Sequence, residues 1–262
     1  MTIDISWLDF SFLDWIACAI FLLCWVGYTR YAIYKSNSRP TLMSALEHHR
    51  KLWMLNAVLI PRIETPRDIL AIGMFERSVT FFASTTILIL AGLLTLLGSS
   101  EKIANVMASL HFVNNAVLAQ IQIKILLIIL LFVHAFFKFC WSMRCYNFLA
   151  TMLGSMPLKF ANITGQEIEN NDEIKVWSTK SAGILNSAAH HFNLGLRAYY
   201  FALAVLAWFV HPIFFILANI LVVAVLYRRD FKSQVLDSLY SSMREIDTPS
   251  KESDLQKPKE EA

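Results

Sequence analysis

The sequence predicts an all-α, polytopic transmembrane helix bundle of four to five membrane segments, with a cytoplasmic interfacial helix. Three observations predict this class. Hydrophobic residues make up 56% of the 262 positions and charged residues only 16%, against about 25% charged in soluble domains. The apolar residues stand in blocks of about 20, the length a helix needs to cross a hydrocarbon core about 30 Å thick. Lys and Arg are unevenly shared between connections, with eight between 28 and 78 and one between 99 and 122. A net charge of +3 and the lack of any basic recognition motif give no reason to expect a nucleic-acid partner.

The first block follows Asp4, Asp9 and Asp14, where a secretory leader would be basic, so it reads as a span over 12–33. Trp15 at one end and Tyr28, Tyr31 and Tyr34 at the other supply aromatic belts. Within the polar stretch that follows, a helix from about Thr41 to Ala57 carries Leu42, Leu46, His49 and Trp53 on one face. That pattern suits a helix lying on the membrane or on the bundle. Pro61 and Pro66 end it. Thr65-Pro66-Arg67-Asp68 then has the form of a helix start, leading into a second span over 79–98.

Residues 104–121 are moderately apolar and predict a helix at the outer interface. A third span covers 125–143. The stretch 144–193 reads as a polar loop with an acidic patch at Glu167, Glu169, Asp172 and Glu173. The last apolar block, 198–227, would measure about 45 Å as one straight helix, too long for a single crossing. His211-Pro212 lies near its centre. Either one kinked helix spans here, or two helices, 198–210 and 213–227, form a hairpin.

The positive-inside rule places 28–78 in the cytoplasm and the N-terminus outside. Arg228, Arg229 and Lys232 follow the last block, and a hairpin with five segments puts them, and the C-terminus, inside as well. The expected organisation is a single transmembrane domain over 1–240 and a disordered cytoplasmic tail over 241–262, in a cell membrane, the inner membrane of the cell.

Three stretches carry a resemblance to a known family: Arg77-Ser78-Val79-Thr80-Phe81-Phe82-Ala83-Ser84-Thr85-Thr86, Ala135-Phe136-Phe137-Lys138-Phe139-Cys140-Trp141-Ser142-Met143-Arg144, and Phe192 to Phe201 with Val225 to Phe231. Over roughly residues 12–235 the chain resembles the DUF599 family of uncharacterised integral membrane proteins. Asp230 stands where the family is expected to have Glu. The resemblance implies a membrane helix bundle and no assigned activity.

Laid on helices, the polar residues fall on faces. Arg77, Thr80 and Ser84 share one with Ala91 and Thr95; His134 and Lys138 share another with Trp141 and Cys145, just short of Arg144; Asn193 and Arg197 share a third with Tyr200 and His211. Lipid offers such groups no partners, so these faces are expected to point into the bundle. Arg77, Thr80, Ser84, His134, Lys138, Arg144, Asn193 and Arg197 are therefore the candidate pathway or pairing residues. A charge within a span costs about 2.5–3.5 kcal/mol, which Lys138 can reduce by snorkelling or by pairing with Glu76 or Asp230.

Catalysis and metal binding find little support. Cys18, Cys24, Cys140 and Cys145 match no zinc or redox spacing, and His48-His49 and His190-His191 lack the i, i+4 spacing of a helical metal site. Ser84-Thr85-Thr86 has no acid–base partner, and hydroxyls in membrane helices bond their own backbone. No cofactor or metal is expected, and an enzyme is not favoured. The leading functional reading is binding or passage of a small solute or ion along an inward-facing polar helix face. The alternative is a non-catalytic accessory or scaffold subunit. The third is a redox subunit with haem, which would need two facing histidines at one depth, whereas His134 is mid-span and His211 lies at the outer turn. Expected partners are the bilayer, anionic lipid at the Arg77, Arg144, Arg197 and Arg228-Arg229 cluster, and a second copy or another membrane protein.

Overall fold

A computed structural model describes residues 10–36, 41–59, 66–108, 118–157, 160 and 171–247, all helical apart from short connections. The first helix, α1 (Phe12–Leu22), passes through a π-helical turn, Leu23–Gly27, into α2 (Tyr28–Ser36). Ser11 caps α1 by a reciprocal box: the Leu13 amide donates to the Ser11 hydroxyl at 3.4 Å and the Ser11 amide donates to the Asp14 carboxylate at 3.1 Å. Then come α3 (Leu42–Leu59), α4 (Pro66–Gly98), α5 (Ser100–Ala108), α6 (Leu118–Gly154), α7 (Asp172–Leu206), a 3₁₀ turn (Ala207–Phe209), α8 (Pro212–Phe231) and α9 (Gln234–Asp247). Proline opens α4 as expected; the N-cap assigned to Thr65 lies outside the described residues.

Among the described residues, five helices are long and apolar enough to cross a membrane: 12–32, 67–98, 118–154, 172–209 and 212–243. The chain does break at His211-Pro212. The His211 ring caps α8 by accepting from the Ile213 amide at 3.2 Å. The two arms fold back, with Trp208 stacked on Phe215 at 5.1 Å between ring centres. Four of these five are far longer than the spans read from hydropathy. The stretch 144–193, expected as a polar loop, is largely helical, because α6 runs on to Gly154 and α7 begins at Asp172. Residues 241–247, assigned to the disordered tail, belong to α9; 248–262 lie outside the described residues.

Cross-helix hydrogen bonds fix the levels. At the hinge end, Lys124, Trp208 and Asp14 are tied together. Deeper, the Thr86 and Tyr199 hydroxyls lie 2.8 Å apart, joining α4 to α7, and the Ser142 hydroxyl donates to the Ala188 carbonyl at 2.7 Å, joining α6 to α7. Twenty residues of helix rise about 30 Å, so a hydrocarbon layer starting at Asp14, Lys124 and Trp208 would end near Tyr34, Arg144 and Ala188.

Beyond that level the bundle continues as a head. In it α3 packs on the bundle, antiparallel to the first half of α7. Arg50 donates to Asn186 at 3.1 Å, Trp53 donates to Asp68 at 2.8 Å, and Val58 packs with Ile174, Met156 and Phe160. Burial pushes the Arg50 guanidinium below its ordinary pKa. The main core joins head and membrane layers through Met54, Ile72, Phe139, Leu149 and Leu185. The ring of Phe139 lies where a Cβ on Gly195 would stand, so only glycine lets α6 and α7 approach this closely. Finally, α9 folds against α3, where His49 Nε2 lies 3.2 Å from both the Leu239 carbonyl and the Ser242 hydroxyl.

Candidate functional site

Asp230 stands in the last turn of α8, where the helix dipole disfavours a carboxylate. Its surroundings compensate. Arg197 of α7 donates to Asp230 Oδ2 at 2.8 Å, the Tyr28 hydroxyl donates to the same oxygen at 2.8 Å, and Arg229 Nε lies 3.4 Å from Oδ1. The Arg197 guanidinium also lies over the Tyr28 ring at 5.3 Å, and Arg229 lies over Tyr200 at 5.8 Å. Three helices are thereby tied at one carboxylate.

This cluster forms one wall of a 170 Å³ cavity between α2, α3, α7 and α8. Arg197, Arg229, Asp230, His190, Asn193 and Thr41 supply polar groups, and Ala32, Leu42, Leu46, Leu194 and Phe231 supply an apolar face. Asn193 donates to the Ala189 carbonyl at 3.0 Å. Arg197 Nε is buried with no hydrogen-bond partner among the described residues. By helix rise the cavity would lie at the edge of such a layer farther from the hinge, where a guanidinium and an apolar wall can meet one ligand.

A second charged cluster sits at the hinge end. Lys124 Nζ donates to the Trp208 carbonyl at 3.0 Å and lies 5.1 Å from the Trp208 ring centre; Trp208 Nε1 donates to Asp14 Oδ1 at 2.7 Å. Lys124 and Asp14 are each only 7% exposed. Opposite charges on α1 and α6 thus share one tryptophan at the end of α7, beside a 90 Å³ cavity.

Of the residues singled out in the sequence, Asn193 and Arg197 meet in the first cavity. Arg77, Thr80 and Ser84 do line a common groove on α4, but all three are exposed on the outside of the bundle. The expectation that this face turns inward is corrected, and its chemistry explains why it need not. The Thr80 hydroxyl donates to the Glu76 carbonyl at 2.9 Å and the Thr95 hydroxyl to the Ala91 carbonyl at 3.0 Å, so these groups are satisfied within their own helix. Arg144 is likewise exposed. His134 is half-buried, edge-on to Trp25 at 5.5 Å, and ten residues of helix separate it from the hinge-end level of Lys124.

Lys138 is half-buried. Neither proposed partner holds it: Asp230 is taken by Arg197, and no ion pair joins Lys138 to Glu76 among the described residues. Missed altogether were Tyr28 as a ligand of Asp230, and the Asp14–Lys124 array. The signal was present, since Asp14 and Lys124 each lie at the edge of an apolar block where a charge calls for a partner. Among the described residues, no three His, Cys, Asp or Glu side chains converge as a metal site.

A family described as "Protein of unknown function, DUF599" matches residues 16–235. No curated protein and no solved structure matches the chain.

Proposed function

The chain belongs to the DUF599 family, and from that premise we propose that it binds a small anionic solute in the cavity lined by Arg197 and Arg229. The cavity itself carries this reading. Two guanidinium groups face one carboxylate there, leaving the wall one positive charge in excess, and an apolar face lies opposite. Arginine presents a planar fork that matches a carboxylate, and the buried, unpartnered Arg197 Nε is a donor in need of an acceptor. The ligand class that fits is a short monocarboxylate with an apolar tail. On this reading the membrane is a cell inner membrane, with the N-terminus outside and the cavity open toward the cytoplasm. The Asp14–Trp208–Lys124 cluster then closes the opposite end of the α7–α8 hairpin.

The test is thermal melting of the purified protein against a panel of short monocarboxylates in phosphatidylcholine nanodiscs. At least one should stabilise the wild-type chain and leave the charge-balanced Arg197→Gln/Asp230→Asn variant unmoved. Equal stabilisation of both forms would defeat the proposal.

A second reading, a scaffold subunit, is favoured by the α4 groove, where Arg77, Thr80 and Ser84 stand exposed. A membrane partner covering that groove would meet the Arg77 guanidinium, a charge for which hydrocarbon offers no partner.

A further inference from the structure

The groove on α4 has charges on both of its flanks. Measured from Gly73 at 100° per residue, Thr80, Ser84, Ala91 and Gly98 fall within about 20° of one line along the helix. Arg77 lies about 40° to one side of that line and Glu76 about 60° to the other. Among the described residues, neither charge is in an ion pair. Thr80, Ser84, Ala91 and Gly98 are all exposed. Among the described residues, nothing in the rest of the fold lies within 4 Å of a Cβ placed on Gly73 or Gly98, so internal packing requires neither glycine.

We propose that this face binds a second copy of the chain, α4 against α4, about a two-fold axis along the membrane normal. The charges carry the argument. Copies inserted in one orientation hold identical residues at one depth, so Arg77 of one and Glu76 of the other differ in level by only about 1.5 Å. A two-fold axis beside the central line sets each flank of one copy against the opposite flank of the other. Arg77 then faces the partner's Glu76, and this happens twice. Two ion pairs form from charges that a single copy leaves open. The face is complementary to itself.

The short side chains on the line let the two backbones approach closely, as helix contacts in lipid favour. Thr80 can stand there because its hydroxyl already donates to the Glu76 carbonyl. The same hydroxyl lies 3.5 Å from the Met143 sulfur, which puts the charges near the Arg144 level, the edge of the layer inferred above. This inference rests on the second reading and names its partner. It leaves the Arg197 cavity untouched, since no α4 residue lines it.

The test is disulfide cross-linking of the full-length protein in its own membranes, with the four native cysteines replaced and copper phenanthroline as oxidant. Cysteine introduced at Ser84 or Ala91 should give a dimer. Cysteine at exposed Gly92, 100° from Ala91, should give about tenfold less. With Ser84→Cys as reporter, Arg77→Glu sets acid against acid and Glu76→Arg sets base against base. Each should cut the dimer about tenfold or more. Co-expressed with different tags, these two variants should recover it as a mixed dimer, which a change that merely destabilised the fold could not do. Undiminished cross-linking in both variants, equal yields at Ser84, Ala91 and Gly92, or no mixed dimer would each overturn the proposal. So would a Ser84→Cys adduct with a different protein and no dimer, which leaves the scaffold reading standing. No adduct at any position would sink both.

Discussion

Arg197 Nη2 lies 2.8 Å from Asp230 Oδ2, each side chain about one-seventh exposed or less, so one ion pair ties the two arms of the C-terminal hairpin together. Arg197 stands fourteen residues before His211 and Asp230 nineteen after it, and antiparallel folding at the turn brings them opposite. Removing one member of a buried pair leaves the other charge stranded, typically at about 3–5 kcal/mol. Arg197→Leu should therefore destabilise the protein toward the low end of that range, because Tyr28 and Arg229 still hold Asp230. Arg197→Leu/Asp230→Leu should melt above the single variant in detergent. A double variant less stable than Arg197→Leu would show that the pair is not the unit at work.

At the hinge end, Asp14 and Lys124 communicate through Trp208. Lys124→Met should lower the melting temperature, since it frees the Trp208 carbonyl and leaves the Asp14 charge without its counter-ion. A double-mutant cycle with Asp14→Asn should show coupling of about 0.5 kcal/mol or more. Strict additivity would mean that the two charges act independently.

Gly195→Ala offers a packing test free of charge. The added methyl group would overlap the Phe139 ring, which is fully buried between α6 and α7. Overpacking of this kind costs about 1–3 kcal/mol. Gly183→Ala, where nothing lies within 4 Å of the added group, is the control and should melt as wild type or slightly higher.

The basic connections predict the topology, which can be read with an impermeant maleimide on intact cells, in a background lacking the four native cysteines. Cysteine at exposed Glu101, near the hinge end, should label directly. Cysteines at exposed Lys180 in the head and Asp237 on α9 should label only after permeabilisation. Labelling at 237 but not at 101 would invert the orientation.

The membrane class was legible because apolar blocks and basic connections are set by the bilayer alone. The head was not. Its start of α7 carries Lys175, Lys180 and Asn186, which made 172–193 look like a loop. Yet Ile174, Ser178, Ala182, Leu185 and Ala189 recur at helical spacing and are the buried face. Small residues on that face kept hydropathy low while still allowing close packing on α3 and α6. The site was half legible: Asn193 and Arg197 stand out as polar residues in an apolar context. The true partner of Arg197, Asp230, was assigned to Lys138 because proximity to a helix end says nothing of which helix lies opposite. The α4 stripe was misplaced because hydroxyls that bond their own backbone carry polarity without needing a neighbour.

The most direct measurement is native mass spectrometry of the protein released from its own membranes, read for bound mass. The account predicts a small monoanion retained by the wild-type chain and absent from Arg197→Gln/Asp230→Asn, with both forms folded by melting. A wild-type chain carrying no such ligand, or one equally retained by the variant, would contradict it.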